Sequence, residues 1–142
     1  MGSDHTGPRR ALVIGYGMSG RAAANWLVSE GIDVVVLEDN RDASPLIEGA
    51  AAAGLTLEVA GTAEHSAELA RAADLVVPSP GVPVGHPALG AAFAAGTEVV
   101  SEIELAWRVL SAARADRGEK YSLVAITGTN GKTTVTKLVE AM

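Results

Sequence analysis

The sequence predicts an α/β fold in which a parallel sheet carries helices on both faces. Short β-branched runs, ALVIG at 11–15 and IDVVVLE at 32–38, have the length and composition of buried strands. Segments with helical periodicity separate such runs along the chain, and this alternation is typical of a parallel sheet. The chain has 142 residues, 48% hydrophobic and 20% charged, which is enough to bury a core.

The other elements follow from the same patterns. Helices are expected at 19–30, 44–53, 63–72, 88–95, 101–113 and 132–142, and further strands at 55–59, 73–79, 97–100 and 121–127. Ser101 and Glu104 have the spacing of a capping box at the start of a helix.

The alternation breaks at ARADRGEK, 113–120, which is polar and contains glycine. We therefore expect a disordered lead-in at 1–8, a complete α/β domain at 9–114 and a linker at 115–120. Residues 121–142 would supply only the first strand, loop and helix of a second domain.

Composition excludes several classes of protein. The net charge of −6 argues against a nucleic-acid surface, because phosphate backbones are held by clustered Lys and Arg. The chain lacks cysteine, which excludes disulfides and Cys-based zinc sites and fits a cytoplasmic location. No segment reaches the roughly 18 apolar residues of a membrane span.

The hexapeptide GYGMSG at 15–20 matches GxGxxG between a predicted strand and a predicted helix, which indicates a Rossmann-like domain. Gly15 permits a tight turn, Gly17 lets the backbone approach a diphosphate, and Gly20 lets the helix pack near the strand. The N–H groups near Met18 and Ser19 would point at the phosphates.

Glu38 and Asp39 end the second strand, where a carboxylate can hold ribose or base groups. These features predict a nucleotide-diphosphate site, and a tight turn that needs small residues is the alternative. The motif leaves the nucleotide open, since NAD and a UDP-sugar both carry a diphosphate.

A second glycine loop, TGTNGKTT at 127–134, also lies between a predicted strand and a predicted helix. The strict P-loop pattern fails, because Ile126 stands where its first glycine belongs. Lys132 would reach the β- and γ-phosphates as a catalytic residue, and the Thr133 hydroxyl would ligate Mg²⁺. The expected phosphate-binding residues are Gly128, Thr129, Asn130, Gly131, Lys132, Thr133 and Thr134.

Two loops of different type argue against a simple dehydrogenase, because hydride transfer needs no γ-phosphate site. One nucleotide would be the part of the substrate by which the enzyme binds it, and the other would be the phosphoryl donor. Two alternatives remain: the NAD(P)-binding domain of an oxidoreductase or regulator, and a non-catalytic nucleotide-binding module.

These motifs resemble the Mur ligase family, whose ATP loop also lacks the first glycine of the strict pattern. The resemblance spans about 10–142 and is carried by VIGYGMSG (13–20), SPGVPVGHPALGAA (79–92), EIELAWR (102–108) and AITGTNGKTTVTKL (125–138). It is strongest to the ligases that add D-glutamate to UDP-N-acetylmuramoyl-L-alanine in peptidoglycan synthesis.

The resemblance implies that the first domain binds the UDP of the substrate, with its diphosphate at Met18 and Ser19. The uracil end would meet Glu38, Asp39 and Asn40, and the SPG turn would bring Gly81 toward the same ligand.

The resemblance also implies that the second domain binds ATP and Mg²⁺. The γ-phosphate would pass to the substrate carboxylate, and the D-glutamate amine would displace phosphate from the resulting acyl phosphate. Lys132 would stabilise the transferring group. A complete ligase of this family has three domains, so this chain alone is expected to be inactive. The complete enzyme is expected to be a cytoplasmic monomer.

For two further residues the sequence allows either a structural or a ligand-binding role. His86 could touch substrate, although a helix-start or turn role is favoured. Ser79 could hydrogen-bond a ligand or serve the turn before Pro80.

Overall fold

The computed structural model describes residues 7–39, 49–51, 53–59, 61–115, 117–118 and 124–141. The chain divides into two compact units, Met1–Val109 and Leu110–Met142.

The first unit is built on a five-stranded sheet, and all its pairings are parallel. The strands are β1 (Arg10–Ile14), β2 (Asp33–Glu38), β3 (Thr56–Val59), β4 (Leu75–Pro78) and β5 (Glu98–Val99). Their order across the sheet is β3-β2-β1-β4-β5. The predicted Rossmann-like parallel sheet is therefore confirmed.

The helices alternate with these strands along the chain. They are α1 (Met18–Ser29), α2 (Ala63–Arg71), α3 (Pro87–Ala95), α4 (Glu102–Ala115) and α5 (Lys132–Glu140). Residues 49–51 are also helical, and the rest of the helix expected at 44–53 lies largely outside the described residues.

Helices cover both faces of the sheet, as the sequence predicts. Side chains alternate along β1, so Ala11 and Val13 lie in one buried cluster and Leu12 and Ile14 in the other. The first cluster includes α1 residues, among them Leu27. The second takes residues from α2 and α3, Ala70, Ala88, Leu89 and Ala92. The small residues on these helices let the backbones approach the sheet closely.

Local signals fix where the helices begin and end. Thr62 caps α2 by accepting a hydrogen bond at Oγ1 from the His65 N–H, at 3.1 Å. Gly96 ends α3 in the left-handed conformation, with φ at 72°.

The capping box at the start of α4 is only half formed. The Ser101 hydroxyl accepts a hydrogen bond from the Glu104 N–H at 3.1 Å, as expected. The Glu104 carboxylate instead accepts a hydrogen bond from Arg108 Nε at 2.8 Å, one helical turn further on. A charged partner on the same helix face thus displaces the second half of the box.

The second unit differs from the prediction in the segment before the second glycine loop. Val124–Thr127, the described part of the strand expected at 121–127, forms no strand. A strand is held by hydrogen bonds to a neighbour, and each sheet pairing among the described residues joins β1–β5. Helix α5 forms as predicted, although none of its residues is buried.

No helix in the described part of the chain is both long and apolar enough to cross a membrane.

Candidate nucleotide-binding sites

The first glycine loop lies where the direction of sheet winding reverses. Strand β1 has β2 on one side and β4 on the other, so the connections after β1 and β4 diverge from a shared edge. In open parallel sheets, ligands bind at this reversal, beyond the carboxyl ends of the strands. GYGMSG follows β1 at this edge, and the SPG turn follows β4.

Gly15 and Gly20 lock this loop against the turn after β4. A Cβ built on Gly20 would lie 1.9 Å from the Gly15 carbonyl oxygen, so no larger residue fits. Gly15 has φ of +86°, and a Cβ there would lie 3.1 Å from Ser79 Oγ. The Ser79 hydroxyl donates a hydrogen bond to the Gly15 carbonyl at 3.2 Å, and the Ser79 N–H donates one to the Ile14 carbonyl at 2.8 Å. Ser79 therefore serves the turn, and a hydrogen bond from it to a ligand stays a prediction.

Gly17 presents an open approach to the start of α1. A Cβ there would meet nothing within 4 Å. No side chain in the described part of the chain caps this helix, and its first turn carries no acidic residue. Met18 is 88% exposed. First-turn N–H groups lack intrahelical acceptors, so this end can bind an anion such as a diphosphate.

Glu38 holds the glycine loop to the end of β2. Its Oε2 accepts a hydrogen bond from the Tyr16 N–H at 2.8 Å, and the Gly15 N–H donates to the Leu37 carbonyl at 2.7 Å. In this structure the half-buried Glu38 carboxylate thus binds the backbone of the glycine loop and holds it in place. Its predicted contact with the uracil end stays a prediction.

Asp39 lies next to Glu38 and is bound by a buried histidine. His86 Nε2 lies 3.2 Å from Asp39 Oδ1, and the Asp39 side chain is 53% exposed. His86 also caps α3, because its Nδ1 accepts a hydrogen bond from the Ala88 N–H at 3.2 Å. The favoured helix-start role of His86 is confirmed. Asn40 lies outside the described residues.

Gly81 occupies an exposed turn after β4. The Val82 N–H donates to the Ser79 carbonyl at 3.0 Å, and a Cβ on Gly81 would meet nothing within 4 Å. The turn is open to a ligand, and the contact of Gly81 with one stays a prediction.

The second glycine loop, described by itself, leads directly into α5. Gly131 is the N-cap residue with φ of 77°, a left-handed conformation that glycine adopts without strain. No side chain in the described chain caps α5, and its first turn carries no acidic residue. The Lys132 ammonium donates back to the Gly128 carbonyl. The N–H groups and the ammonium therefore lie on one short segment, as phosphate binding requires.

Residues 128–134 are all exposed, so their roles stay predictions. No group of three or more His, Cys, Asp or Glu side chains suited to a metal ion occurs among the described residues. The Thr133 hydroxyl is a single oxygen donor, which fits Mg²⁺ bound largely by nucleotide phosphates and water.

Sequence reasoning missed two supports of the first site. Neither the Tyr16 N–H bonded to Glu38 nor His86 bonded to Asp39 follows from local spacing, because the partners lie 22 and 47 residues apart. The only available signal was GHPAL at 85–89, where a histidine precedes a proline that can begin a helix.

Comparison with known proteins gives the family. The model of the Mur ligase MurD-like, N-terminal domain matches residues 9–101. UDP-N-acetylmuramoylalanine–D-glutamate ligase from Chromobacterium violaceum is 43% identical over 131 residues, covering 92% of this chain and 27% of the relative. The ligase of the same name from Thiobacillus denitrificans is 40% identical over 137 residues, covering 92% of this chain and 28% of the relative.

Two solved structures support the fold. A pseudomurein peptide ligase type C from Methanothermus fervidus matches 93% of this chain and 25% of its own, with a TM-score of 0.53 at 23% identity. The TrkA-N domain of the Escherichia coli inner membrane protein ybaL matches 96% of this chain and 98% of its own, with a TM-score of 0.54 at 17% identity.

The chain thus spans little more than a quarter of the length of the ligases it matches, 28% and 27% in the two examples above. The matched segment contains β1–β5, the GYGMSG loop and the turn after β4. The chain belongs to the Mur ligase MurD-like N-terminal domain family.

Proposed function

We propose that the chain is the N-terminal part of an ATP-dependent ligase that adds D-glutamate to UDP-N-acetylmuramoyl-L-alanine during cytoplasmic peptidoglycan synthesis. The observation that carries this proposal is the pair of glycine loops, each leading into a helix start that no described side chain caps. The family and the names of its relatives supply the reaction.

The first unit would hold the UDP end of the substrate. Its diphosphate would lie over Gly17 and accept hydrogen bonds from the first-turn amides near Met18 and Ser19. Asp39 lies at the adjacent strand end with its carboxylate half exposed, and we assign it to the uridine end. Gly81 would approach the same ligand from the turn after β4.

A dinucleotide is the alternative ligand of this loop. In NAD-binding domains a carboxylate at the end of the second strand accepts a hydrogen bond from ribose hydroxyls. Glu38 stands at that place and accepts one hydrogen bond from the Tyr16 N–H at Oε2, so the titration below includes NADH.

The second unit would bind ATP through residues 128–134. Lys132 would leave the Gly128 carbonyl and turn its ammonium to the β- and γ-phosphates, where it offsets charge during phosphoryl transfer. Thr133 would offer its hydroxyl to Mg²⁺, which neutralises phosphate charge when bound. Thr134 and the backbone N–H groups of Thr129 and Asn130 would complete the phosphate contacts.

The domain boundaries proposed from the sequence accompany this function. Residues 9–114 would form the UDP-binding domain, 115–120 the linker, and 121–142 the beginning of the ATP-binding domain. We propose that the whole enzyme is a monomer, and that these 142 residues bind nucleotides without ligase activity.

Calorimetric titration of the chain with UDP, UDP-N-acetylmuramoyl-L-alanine and NADH tests the proposal. We expect both uridine nucleotides to bind and NADH not to bind. Gly17→Val should abolish binding without unfolding the chain, because its side chain would occupy open space on the diphosphate approach. Gly61→Val, at an equally open glycine away from the loop, is the control. Binding of NADH in place of UDP would contradict the proposal.

A further inference from the structure

Among the described residues, His86, Ser66 and Tyr16 are buried side chains that carry a polar group. Of these side chains, that of His86 bonds a residue of the proposed site, Asp39. It is 6% exposed and lies at the start of α3, beside the carboxyl edge of the sheet. Both of its ring nitrogens have partners, so its burial leaves neither nitrogen unsatisfied.

The two hydrogen bonds determine which nitrogen carries the proton. Nδ1 accepts from the Ala88 N–H, so it must be unprotonated in the neutral ring. The proton therefore lies on Nε2, which donates to Asp39 Oδ1. One side of the ring serves the helix, and the other serves the carboxylate.

This bond joins two connections that are far apart in sequence. Asp39 follows β2 and His86 follows β4, and β1 lies between these strands in the sheet. An aspartate at an exposed strand end would otherwise sample several rotamers. The buried ring holds one carboxylate oxygen, and the side chain remains half exposed and accessible to a ligand.

We propose that His86 is a positioning residue that orients Asp39 for the uridine end of the nucleotide and thereby sets base specificity at the first loop. The inference rests on the proposed function, because it takes a uridine nucleotide as the ligand. His86 acts through Asp39 and needs no contact with the ligand.

Two substitutions separate the two bonds of His86. His86→Asn keeps a side chain that caps helices well but is too short to reach Asp39. His86→Gln can carry an amide N–H to about the position of Nε2 and loses the cap. The chain also offers a matched control: His65 and Glu58 form a second histidine–carboxylate pair at 2.6 Å, outside the proposed site.

The experiment measures the dissociation constants of UDP and ADP for the 142-residue chain and its variants. ADP carries the same diphosphate on a different base. Because ADP could also occupy the second loop, both constants are read from the amide resonances of residues 15–20, and their ratio then isolates the nucleoside end. We expect His86→Asn to weaken UDP binding about tenfold and to leave ADP binding unchanged, the size of one lost charged hydrogen bond. His86→Gln should retain most of the preference, and His65→Asn should retain all of it.

The outcomes distinguish this inference from the proposed function. A wild-type chain without preference for UDP would overturn both. A wild-type preference that persists in folded His86→Asn, or that both His86 variants lose equally, would overturn the inference alone. If a His86 variant fails to fold, Asp39→Asn gives a second route, because Asp39 is exposed and its substitution should not disturb folding. This variant should reduce the UDP preference as much as His86→Asn does.

Discussion

The two glycine loops of this chain have similar composition and very different surroundings. The first lies on a five-stranded sheet, pinned by Glu38 to β2 and by Ser79 to β4. The second precedes a helix with no buried residue, and the described segment before it forms no strand. A phosphate loop needs fixed amides. Within the described ranges, the first loop has them fixed by contacts far along the sequence, and the second loop shows no such contact.

A glycine-loop motif determines the local backbone conformation, whereas the surrounding fold determines how the loop amides are oriented. Glycine conformation and an uncapped helix start are local, and both loops have them. Orientation of the amides depends on packing against strands, which the first loop obtains from β1, β2 and β4. We therefore expect substitutions at the packed positions of the first loop, such as Gly20, to change stability and binding together, and substitutions in the second loop to change binding alone.

The largest effect is expected at Gly20. Gly20→Ala places a methyl group 1.9 Å from the Gly15 carbonyl oxygen, so the helix must move away from the strand. We expect a loss of more than about 3 kcal/mol in the free energy of unfolding, measured with urea. Gly17→Ser, three residues earlier in open space, should change it little. Equal stability of the two variants would show that the loop is not held as described.

The next effect compares leucines from the two units. Leu12→Ala removes a side chain that is 1% exposed and should lower the free energy of unfolding by about 3 kcal/mol. Leu138→Ala removes one that is 61% exposed and should change it by less than about 0.5 kcal/mol. Urea midpoints at fixed pH measure both. A comparable loss at Leu138 would mean that α5 packs more tightly than its exposure indicates.

A smaller, purely functional effect is expected at Lys132. Lys132→Ala should lower the affinity of the chain for Mg-ATP about tenfold, since it removes a charged hydrogen-bond donor from the phosphates. Lys137→Ala, on the same helix near its end, should have little effect. Titration with Mg-ATP, followed by calorimetry, measures both affinities. Both variants should keep the UDP affinity and the unfolding free energy of the wild type. If Lys132→Ala and Lys137→Ala bind Mg-ATP equally well, Lys132 is not part of the phosphate site.

The smallest effect is a pH dependence within the first unit. Hydrogen bonds from the backbone N–H groups of Arg10 and Arg9 hold the pKa of Asp74 below its usual value. The stabilisation is therefore present above the unfolded-state pKa of about 3.9 and is lost as pH falls through the lower folded value.

Asp74→Asn should consequently be less stable than wild type at pH 7, and the gap should narrow as the pH falls below about 4. Urea midpoints of both proteins across this range give the measurement. A gap that stays constant would show that the Asp74 charge contributes nothing.

Much of the first unit could be predicted from sequence because its signals are local. Buried runs such as 11–15 marked strands, and the helix expected at 88–95 ends where predicted, before Gly96. The GxGxxG spacing predicted that Gly20 lets α1 pack near β1, and the Gly20 contact confirms this steric reason. The anion site at the start of α1 stays a prediction.

The errors arose where an element depends on a distant partner. Val124–Thr127 has the composition of a strand, but composition supplies no neighbouring strand to accept its hydrogen bonds. One error has a local cause instead: the Glu104 carboxylate accepts a hydrogen bond from Arg108, one turn along the same helix, and so does not complete the capping box. The bonds from Tyr16 to Glu38 and from His86 to Asp39 cross the sheet, so no spacing rule could reveal them.

The central claim is that the chain carries two loops for two different nucleotides. Amide proton–nitrogen NMR spectra of the 142-residue chain, recorded with UDP and with Mg-ATP, test it most directly. We expect UDP to shift resonances of residues 15–20 and 79–82 and Mg-ATP to shift those of residues 128–134. If UDP leaves the GYGMSG resonances in place, or if both nucleotides shift the same loop, the claim is contradicted.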